Sequence, residues 1–256
     1  MDDSLPAILR IFIPPEDIKQ KRNIKAPSDK AHYLISVLRS KKGDAIDVID
    51  GKGKAYIAEI ADIAKKDVFI NVIKESIADT ESTAHLILCQ GLLKGEKMDM
   101  VIQKATELGV KEIVPLITVR CLVKETRKVK RWGKIAEEAA EQCGRAVIPV
   151  IHEPVEFSSL LMGLSQMDGF IFWEEGGLQM NEAFLKMSSS LIHSSPDSPI
   201  HLLVGPEGGF TPEEVRQAEE HGLIRTTLGS RILRAETAAI VSVALVQFLI
   251  EHRKTC

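Results

Sequence analysis

The stretch HLLVGPEGGFTPEEVRQAEEHGLIRTTLGSRILRAET, residues 201–237, decides the fold. Its apolar start, Leu202–Val204, predicts a buried strand that ends at Gly205. A helix follows, and residues 223–228 predict a second strand that Gly229 breaks. Each predicted strand leads into a glycine-containing loop, and open α/β sheets bind ligands outside the carboxyl ends of their strands. The stretch therefore predicts an α/β sheet with a ligand site at one edge.

The helix between these two strands has a well-marked start. Thr211 is the predicted N-cap, Pro212 takes the first helical position, and Glu214 completes a T-x-x-E capping box. Gly208 and Gly209, just before it, allow positive φ and the close approach of a ligand to the backbone. The same glycines suit plain tight turns, so their spacing alone leaves both interpretations open.

Strands and helices alternate from Ala84 onward, which predicts a mostly parallel α/β sheet. The last helix, 235–250, is apolar nearly all round, as in a buried core helix or a subunit interface. The other predicted strands are 86–92, 113–116, 148–151 and 169–173, and the other predicted helices are 97–108, 132–143, 157–164 and 181–193.

The N-terminal part has a different pattern. Short predicted strands lie close together around one predicted helix, 32–38, which indicates a small β-barrel-like domain; these strands are 10–13, 45–50, 54–61 and 66–73. The polar residues 76–83 have no apolar face. The predicted organisation is a β-rich domain over 1–76, a linker over 77–83 and an α/β domain over 84–256. The β-rich part can bind RNA or can simply extend the fold.

Composition and missing motifs exclude several classes of protein. The 256 residues carry a formal charge of −3, and no apolar run approaches the roughly 20 residues of a membrane span. The acidic N-terminus lacks the features of a signal peptide, so we expect a cytoplasmic protein without a membrane partner. Neither the four cysteines nor the seven histidines have ligand spacing, so no metal site is predicted. Walker A, G-x-G-x-x-G and G-x-S-x-G motifs are absent, which disfavours nucleotide hydrolysis, dinucleotide chemistry and an α/β-hydrolase.

Two stretches are strongly basic despite the acidic total. Residues 19–42 hold eight basic side chains against one acid, a local charge of +7, and residues 120–134 hold seven against one, a local charge of +6. Either stretch alone is typical of a solvated surface. Two of them in an acidic chain favour two phosphate-facing patches on an RNA-binding protein.

Five runs of the sequence resemble the RsmE family, SPOUT-class RNA methyltransferases that methylate N3 of a uridine in 16S ribosomal RNA. The runs, which fall between about residues 10 and 249, are HYLISVLRSKKGD, KGEKMDMVIQKATELGVKEIVPL, AEEAAEQCGR, LLVGPEGGFTPEEV and LGSRILRAETAAI. The resemblance implies a PUA-like N-terminal β-barrel and a C-terminal SPOUT domain with a deep trefoil knot. Topology rules alone would predict an unknotted sheet. The resemblance also implies a homodimer whose active sites lie between subunits, and the small ribosomal subunit as partner.

The resemblance implies that the glycine loops hold S-adenosyl-L-methionine as cofactor. Backbone amides around Gly205 and Gly229 can bind the adenine, and nearby aliphatic side chains can line the methionine part. Glu174 is included because the loop after a third strand also borders the cofactor in such families. The predicted cofactor-binding residues are Leu203, Val204, Gly205, Pro206, Glu207, Gly208, Gly209, Leu228, Gly229, Ser230, Ile232, Leu233 and Glu174.

Methyl transfer to N3 of uracil requires loss of the N3 proton, helped by a base or by a cation that stabilises the uracil anion. The predicted catalytic residues are the cations Arg231 and Arg234 and, as alternative bases, Glu236 and Glu141. The arginines can equally contact phosphate or pair with Glu236. Base pairing engages N3, so the target uridine must be unpaired or flipped.

The predicted RNA-binding residues lie in or near the basic stretches and in the family runs. They are Arg10, Lys21, Arg22, Arg39, Lys41, Lys94, Lys97, Arg120, Arg127 and Lys128. Two other functions stay open at this stage. One is an RNA-binding ribosome-assembly protein with a vestigial cofactor site, and the other, weaker one is an unrelated α/β hydrolytic enzyme.

Overall fold

The computed structural model describes residues 9–76, 80–163, 167–190 and 198–252. Contacts divide the chain into two compact units. The first takes the described residues up to Glu81 together with Glu137–Ile148, and the second takes Ser82–Ala136 and the described residues from Pro149 onward. The segment Glu137–Ile148, which the sequence pattern assigns to the α/β domain, therefore packs with the first unit.

The first unit is built on a five-stranded sheet of order β1-β3-β4-β5-β2. Its strands are β1 (Arg10–Phe12), β2 (Ile24–Lys25), β3 (Ala45–Ile49), β4 (Ala55–Ala64) and β5 (Asp67–Ser76). β1 runs parallel to β3, and the other pairs are antiparallel. β3 and β4 form an antiparallel hairpin, and in its turn the Asp50 carboxylate accepts the amides of Lys52 and Lys54 at 2.8 and 2.9 Å.

The helical part of the first unit differs from the prediction of one helix over 32–38. The chain forms α1 (Pro15–Ile18) and α2 (Ser28–His32), and α2 continues as a π-helical turn over Tyr33–Val37. Lys30 lies on the buried face of α2 and is only 7% exposed. A charged residue on a buried face interrupts the apolar spacing, which is why the pattern placed this helix too late.

Buried ion pairs fix the segment Glu137–Ile148 in the first unit. The Lys30 ammonium lies 3.0 Å from Glu137 and 2.5 Å from Glu141. The other Glu141 oxygen accepts the amide of Phe12 at 2.7 Å. Arg145, 3% exposed in its side chain, pairs with Glu81 at 3.0 Å. Separation of the segment from the sheet would leave the buried Lys30 ammonium without these carboxylates, which is costly.

The second unit contains the predicted parallel sheet. Its strand order is β11-β13-β10-β12-β6-β7-β8, with β9 also beside β7, and every pairing among these strands is parallel. The strands are β6 (Leu86–Gly91), β7 (Glu112–Ile117), β8 (Val150–Ile151), β9 (Val155–Glu156), β10 (Gly169–Phe172), β11 (Leu178–Gln179), β12 (Ile200–Val204) and β13 (Ile224–Thr227). The parallel arrangement brings the carboxyl ends of β10, β12 and β13 to one edge.

The helices of the second unit connect these strands, and one of them passes into the first unit. They are α3 (Lys97–Glu107), α4 (Val129–Cys143), α5 (Phe157–Met162), α6 (Met180–Ser190), α7 (Pro212–Glu220) and α8 (Ala235–His252). The predicted start of α7 is confirmed: Thr211 accepts the amide of Glu214, and the Glu214 carboxylate accepts the amide of Thr211. The predicted ends of the helices 157–164 and 181–193 and residues 77–79 lie outside the described residues.

The last helix, α8, is less buried than its apolar sequence predicts. It packs against α3, α6, β6 and β12, and Ala239, Val243 and Val246 are fully buried. Phe248 is 54% exposed and Leu245 is 37% exposed. By length and composition α8 could also cross a membrane, but a core helix of this kind passes the same test. Its contacts with the sheet identify it as a core helix with one uncovered apolar face.

Candidate active site

A cavity of about 360 Å³ lies in the second unit at the carboxyl ends of β10, β12 and β13. The parallel register sets Phe172 beside both Val204 and Thr226, so the three strands end at nearly the same level. The loop that follows each strand forms one wall. The residues that line the cavity are Lys97, Phe172, Trp173, Glu174, Val204, Gly205, Pro206, Glu207, Gly209, Thr227, Leu228, Gly229, Arg231, Ile232, Leu233, Arg234, Ala235, Glu236 and Ala238.

The loop after β12 packs so tightly that it requires glycine. A Cβ on Gly205 would lie 3.0 Å from the carbonyl carbon of Gly209. Gly209 has a φ of +67°, and a Cβ there would lie 2.3 Å from a carboxylate oxygen of Glu174. On the far side, a Cβ on Gly91 would lie 2.5 Å from the nitrogen of Pro206. This loop therefore has a fixed path that presents bare backbone to the cavity.

Arg120, a predicted RNA contact, holds this loop from outside the cavity. Its guanidinium donates to the carbonyl oxygens of Gly208 at 3.0 Å and Phe210 at 3.1 Å. Gln90, which is fully buried on β6, donates to the carbonyl oxygen of Gly205 at 3.1 Å. Both side chains satisfy carbonyl groups that a glycine loop leaves without partners in secondary structure.

The loop after β13 forms the opposite wall and is much more open. Gly229 has a φ of +110°, and a Cβ there would meet nothing within 4 Å. Ile232 is 83% exposed, and Arg231 and Arg234 are exposed as well. Beside the cavity this wall therefore presents two arginine side chains and one apolar side chain to solvent.

Charged side chains meet where the first loop approaches α8. Lys97 Nζ lies 3.0 Å from Glu207 Oε1 and 3.9 Å from Glu236 Oε2. Burial acts to raise the pKa of the Glu207 carboxyl, but hydrogen bonds from Lys97 and from main-chain amides, including that of Lys94, hold this pKa below its ordinary value. Glu236 is 8% exposed, and its buried Oε2 has no hydrogen-bond partner among the described residues.

Trp173 is a cavity residue that the sequence analysis missed. Its ring lies at the end of β10, and the guanidinium of Arg225 sits 5.6 Å from the ring centroid. Within the part of the chain that the structure describes, the buried Nε1 of this ring has no hydrogen-bond partner. A tryptophan directly before Glu174 at a strand end was the available signal. With Glu236 Oε2, this is the second polar atom without a hydrogen-bond partner in residues that line the cavity, which favours a polar ligand there.

The structure brings together most of the predicted site residues. Ten of the thirteen predicted cofactor residues line the cavity, and Leu203, Gly208 and Ser230 do not. Arg231, Arg234 and Glu236 of the predicted catalytic set also line it. Glu141 does not, because it belongs to the first unit and both of its oxygens are engaged there by Phe12 and Lys30. Glu236 is thus the carboxylate of the two alternatives that reaches the cavity.

The predicted RNA contacts occupy varied environments. Arg10 pairs with Asp47 at 3.4 Å with its side chain 19% exposed, and Lys128 donates to the carbonyl oxygen of Gly95 at 2.8 Å. Lys97 lies in the cavity. The remaining predicted contacts besides Arg120 are exposed, namely Lys21, Arg22, Arg39, Lys41, Lys94 and Arg127.

Comparison with known proteins agrees with this geometry. Residues 80–247 match the family model described as RNA methyltransferase domain, and residues 27–73 match RNA methyltransferase PUA domain. Ribosomal RNA small subunit methyltransferase E from Buchnera aphidicola (subsp. Acyrthosiphon pisum) is 33% identical over 94% of this chain and 93% of its own.

Two solved structures are similar over nearly the whole chain. The ribosomal RNA small subunit methyltransferase E of Neisseria gonorrhoeae, bound to S-adenosyl methionine, is 32% identical with a TM-score of 0.83. A Legionella pneumophila methyltransferase in complex with the same cofactor is 31% identical with a TM-score of 0.82. Each match covers 94% of this chain and 98% of the other. With its PUA-like N-terminal unit and parallel α/β sheet, the chain belongs to the ribosomal RNA small subunit methyltransferase E family of RNA methyltransferases.

Proposed function

We propose that this chain transfers a methyl group from S-adenosyl-L-methionine to N3 of one uridine in the 16S RNA of the small ribosomal subunit. The observation that carries the proposal is the cavity at the ends of three parallel strands, walled by a glycine loop in which a side chain does not fit. Relatives of this chain bind the same cofactor and are named for the same RNA. We place the reaction in the cytoplasm, where ribosomal subunits assemble.

The residues of the cavity fit this cofactor. The bare backbone around Gly205 and Gly209 leaves room for a purine ring and supplies amides and carbonyls for its edges. Trp173 and Glu236 line the cavity and carry a ring N–H and a carboxylate oxygen without a hydrogen-bond partner among the described residues, and Leu228 and Leu233 supply apolar walls. When bound, the cofactor supplies a methyl group made electrophilic by its sulfonium.

The chain's own task in the reaction is to remove the N3 proton and to orient the base. Glu236 lies buried at the cavity wall, and its Oε2 has no hydrogen-bond partner among the described residues. We therefore assign Glu236 the role of the base that accepts the N3 proton. Arg231 and Arg234 line the open wall, where a guanidinium can stabilise the uracil anion or hold the flanking phosphates. An unpaired or flipped uridine is required because N3 is otherwise engaged in pairing.

Calorimetric titration of the purified protein with S-adenosylmethionine and with S-adenosylhomocysteine tests the proposed site. We expect saturable binding of both at one site per chain. If neither binds the free protein or the protein mixed with small subunits, the cavity is vestigial. An RNA-binding assembly factor would then be the better account.

For the first unit we propose the role of an RNA-binding domain. Along the chain we place the RNA-binding domain over 1–76 and the catalytic domain over 84–256, with 77–83 between them, although Glu137–Ile148 packs with the first unit. The exposed cations of the RNA-binding domain, among them Arg39 and Lys41, fit contacts with the phosphate backbone of RNA.

Replacing both Arg39 and Lys41 by glutamine is expected to weaken binding to small subunits. The slope of log K against log salt is negative, and each lost phosphate contact makes it shallower by roughly 0.7 to 0.9. Its magnitude should therefore decrease by about one to two in the double variant. Filter binding at several salt concentrations measures it. The double variant of Lys65 and Lys66, exposed in the β4–β5 turn, removes the same charge and should keep the slope. Equal slopes in both variants would contradict the proposed contact.

We further propose that the protein is a homodimer with a knotted C-terminal domain, as in the SPOUT class that the sequence resembles. The support for the dimer is the uncovered face of α8, where Leu245 and Phe248 lie three residues apart on one side of the helix. Exposed apolar residues grouped in this way are typical of a subunit interface.

Replacing Phe248 by glutamate is expected to dissociate the dimer, since a carboxylate on an apolar interface loses its hydration without gaining a partner. Light scattering after size-exclusion chromatography measures the mass. Leu185, 68% exposed on α6, gives the matched control, because its change to glutamate should leave the mass unchanged. A wild-type mass of one chain would contradict the proposal directly.

A further inference from the structure

One ammonium group serves two carboxylates at the wall of the cavity. Lys97 is the first residue of α3, Glu207 lies in the loop after β12, and Glu236 lies in the first turn of α8. The Lys97 Nζ donates a hydrogen bond to Glu207 at 3.0 Å and stands 3.9 Å from Glu236. Three segments that are distant in sequence therefore meet through this single side chain.

Nearby positive charge stabilises the Glu236 carboxylate and leaves its Oε2 available to accept a proton. A buried carboxylate with an unsatisfied oxygen is costly unless positive charge lies nearby. The start of α8 supplies part of that charge through the helix dipole, and Lys97 supplies a full positive charge at 3.9 Å. At that distance the ammonium forms no hydrogen bond with Oε2, so this oxygen can still accept a proton.

We propose that Lys97 is a positioning residue of the methyl-transfer site, which holds the Glu236 carboxylate at the cavity wall as acceptor of the uridine N3 proton. The proton passes from N3 to Glu236 Oε2. The electron pair of the N3–H bond forms the new N3–C bond, and the pair of the broken C–S bond stays on sulfur. This inference rests on the proposed function.

The structure favours this role over the RNA contact predicted for Lys97 from the run that resembles the family. Its ammonium is already bound to Glu207, and its side chain lines the cavity. Lys94, three residues earlier, is exposed and bonds Glu207 only through its main-chain amide, at 3.2 Å. A change in the Lys94 side chain keeps that bond, so Lys94 is the matched control.

Steady-state methylation of small ribosomal subunits separates the two roles. We expect Lys97→Met to lower kcat at least tenfold and to leave KM for the subunit within about twofold, since general-base contributions are typically 10²–10⁴-fold. Lys97→Arg keeps the positive charge and should recover much of kcat. Lys94→Met should raise KM and keep kcat. A raised KM with unchanged kcat in Lys97→Met would overturn the inference.

Cofactor affinity gives a readout that does not depend on turnover. Lys97→Met makes the cavity more negative by one charge, which favours the sulfonium of S-adenosylmethionine over the neutral sulfur of S-adenosylhomocysteine. The ratio of the Kd for S-adenosylhomocysteine to the Kd for S-adenosylmethionine should therefore rise by about threefold to tenfold, as expected for one charge at cavity distances. Lys94→Met should leave the ratio unchanged. An unchanged ratio in Lys97→Met would place its ammonium away from the reacting groups.

The two failures can be told apart. Wild-type protein that binds no cofactor and methylates no subunit overturns the proposed function and this inference with it. Wild-type protein that methylates normally, beside a Lys97→Met variant with normal kcat and an unchanged Kd ratio, overturns the inference alone. Circular dichroism establishes whether Lys97→Met is folded. If this substitution unfolds the protein, Lys97→Arg supplies the comparison instead.

Discussion

Replacing Glu236 by glutamine is expected to lower kcat by roughly 10² to 10⁴-fold, the usual contribution of a positioned general base. The amide has nearly the same shape as the carboxylate but cannot take a proton from uracil N3. Glu236 is 8% exposed, and among the described residues its Oε2 forms no hydrogen bond that the amide would break; its ion pair with Lys97 is 3.9 Å long. Initial rates with saturating cofactor and subunits measure the effect.

The same variant should bind S-adenosylmethionine almost as tightly as the wild type, with a lower preference over S-adenosylhomocysteine because one negative charge is gone. Glu251→Gln provides the control, since Glu251 lies exposed at the other end of α8. That variant should keep both rate and affinity. A Glu236→Gln enzyme with an undiminished rate would show that the proton leaves by another route, with Arg231 or Arg234 stabilising the uracil anion alone.

Replacing Gly205 by valine is expected to weaken S-adenosylmethionine binding about 100-fold or more, each tenfold step being about 1.4 kcal/mol. The Cβ would already lie 3.0 Å from the backbone of Gly209, and two further methyl groups must displace the loop or enter the cavity. Calorimetric titration measures the loss. Gly205→Ala should fall between the wild type and valine, because only its Cβ has to be accommodated.

Gly133 supplies the control for this experiment. It lies in α4, and a Cβ there would meet nothing within 4 Å, so Gly133→Ala should bind the cofactor like the wild type. Thermal unfolding of each unliganded variant shows whether valine at position 205 disturbs more than the loop. Undiminished affinity in a folded Gly205→Val protein would contradict the assignment of this loop to the cofactor.

The fold of the second unit was predictable because its local signals agree with its packing. The T-P-x-E run starts α7 with both bonds of a capping box, and the apolar runs become buried parallel strands. The first unit was harder, since Lys30 interrupts the apolar face of α2 and its half-buried carboxylate partners lie in α4. Long-range ion pairs of this kind leave no periodic trace in the sequence.

The site was predictable where it depends on backbone and less so where it depends on side chains. Glycine loops at strand ends predict a ligand-binding site formed by backbone, and Gly205 and Gly209 line the observed cavity. The meeting of Lys97 with Glu236 depends on how α3 and α8 pack, which no spacing reveals. For the same reason the sequence left Glu141 and Glu236 as equal candidates, and only the structure assigns Glu141 to the first unit.

The identity of the methylated nucleoside tests the central claim most directly. Small ribosomal subunits that lack methylation at uridine N3 would be incubated with the protein and with cofactor carrying a deuterated methyl group. Their RNA would then be digested and analysed by mass spectrometry. We predict one labelled 3-methyluridine per 16S RNA. Label at another ring position or on another nucleoside, or no label despite cofactor binding, would contradict the proposed reaction.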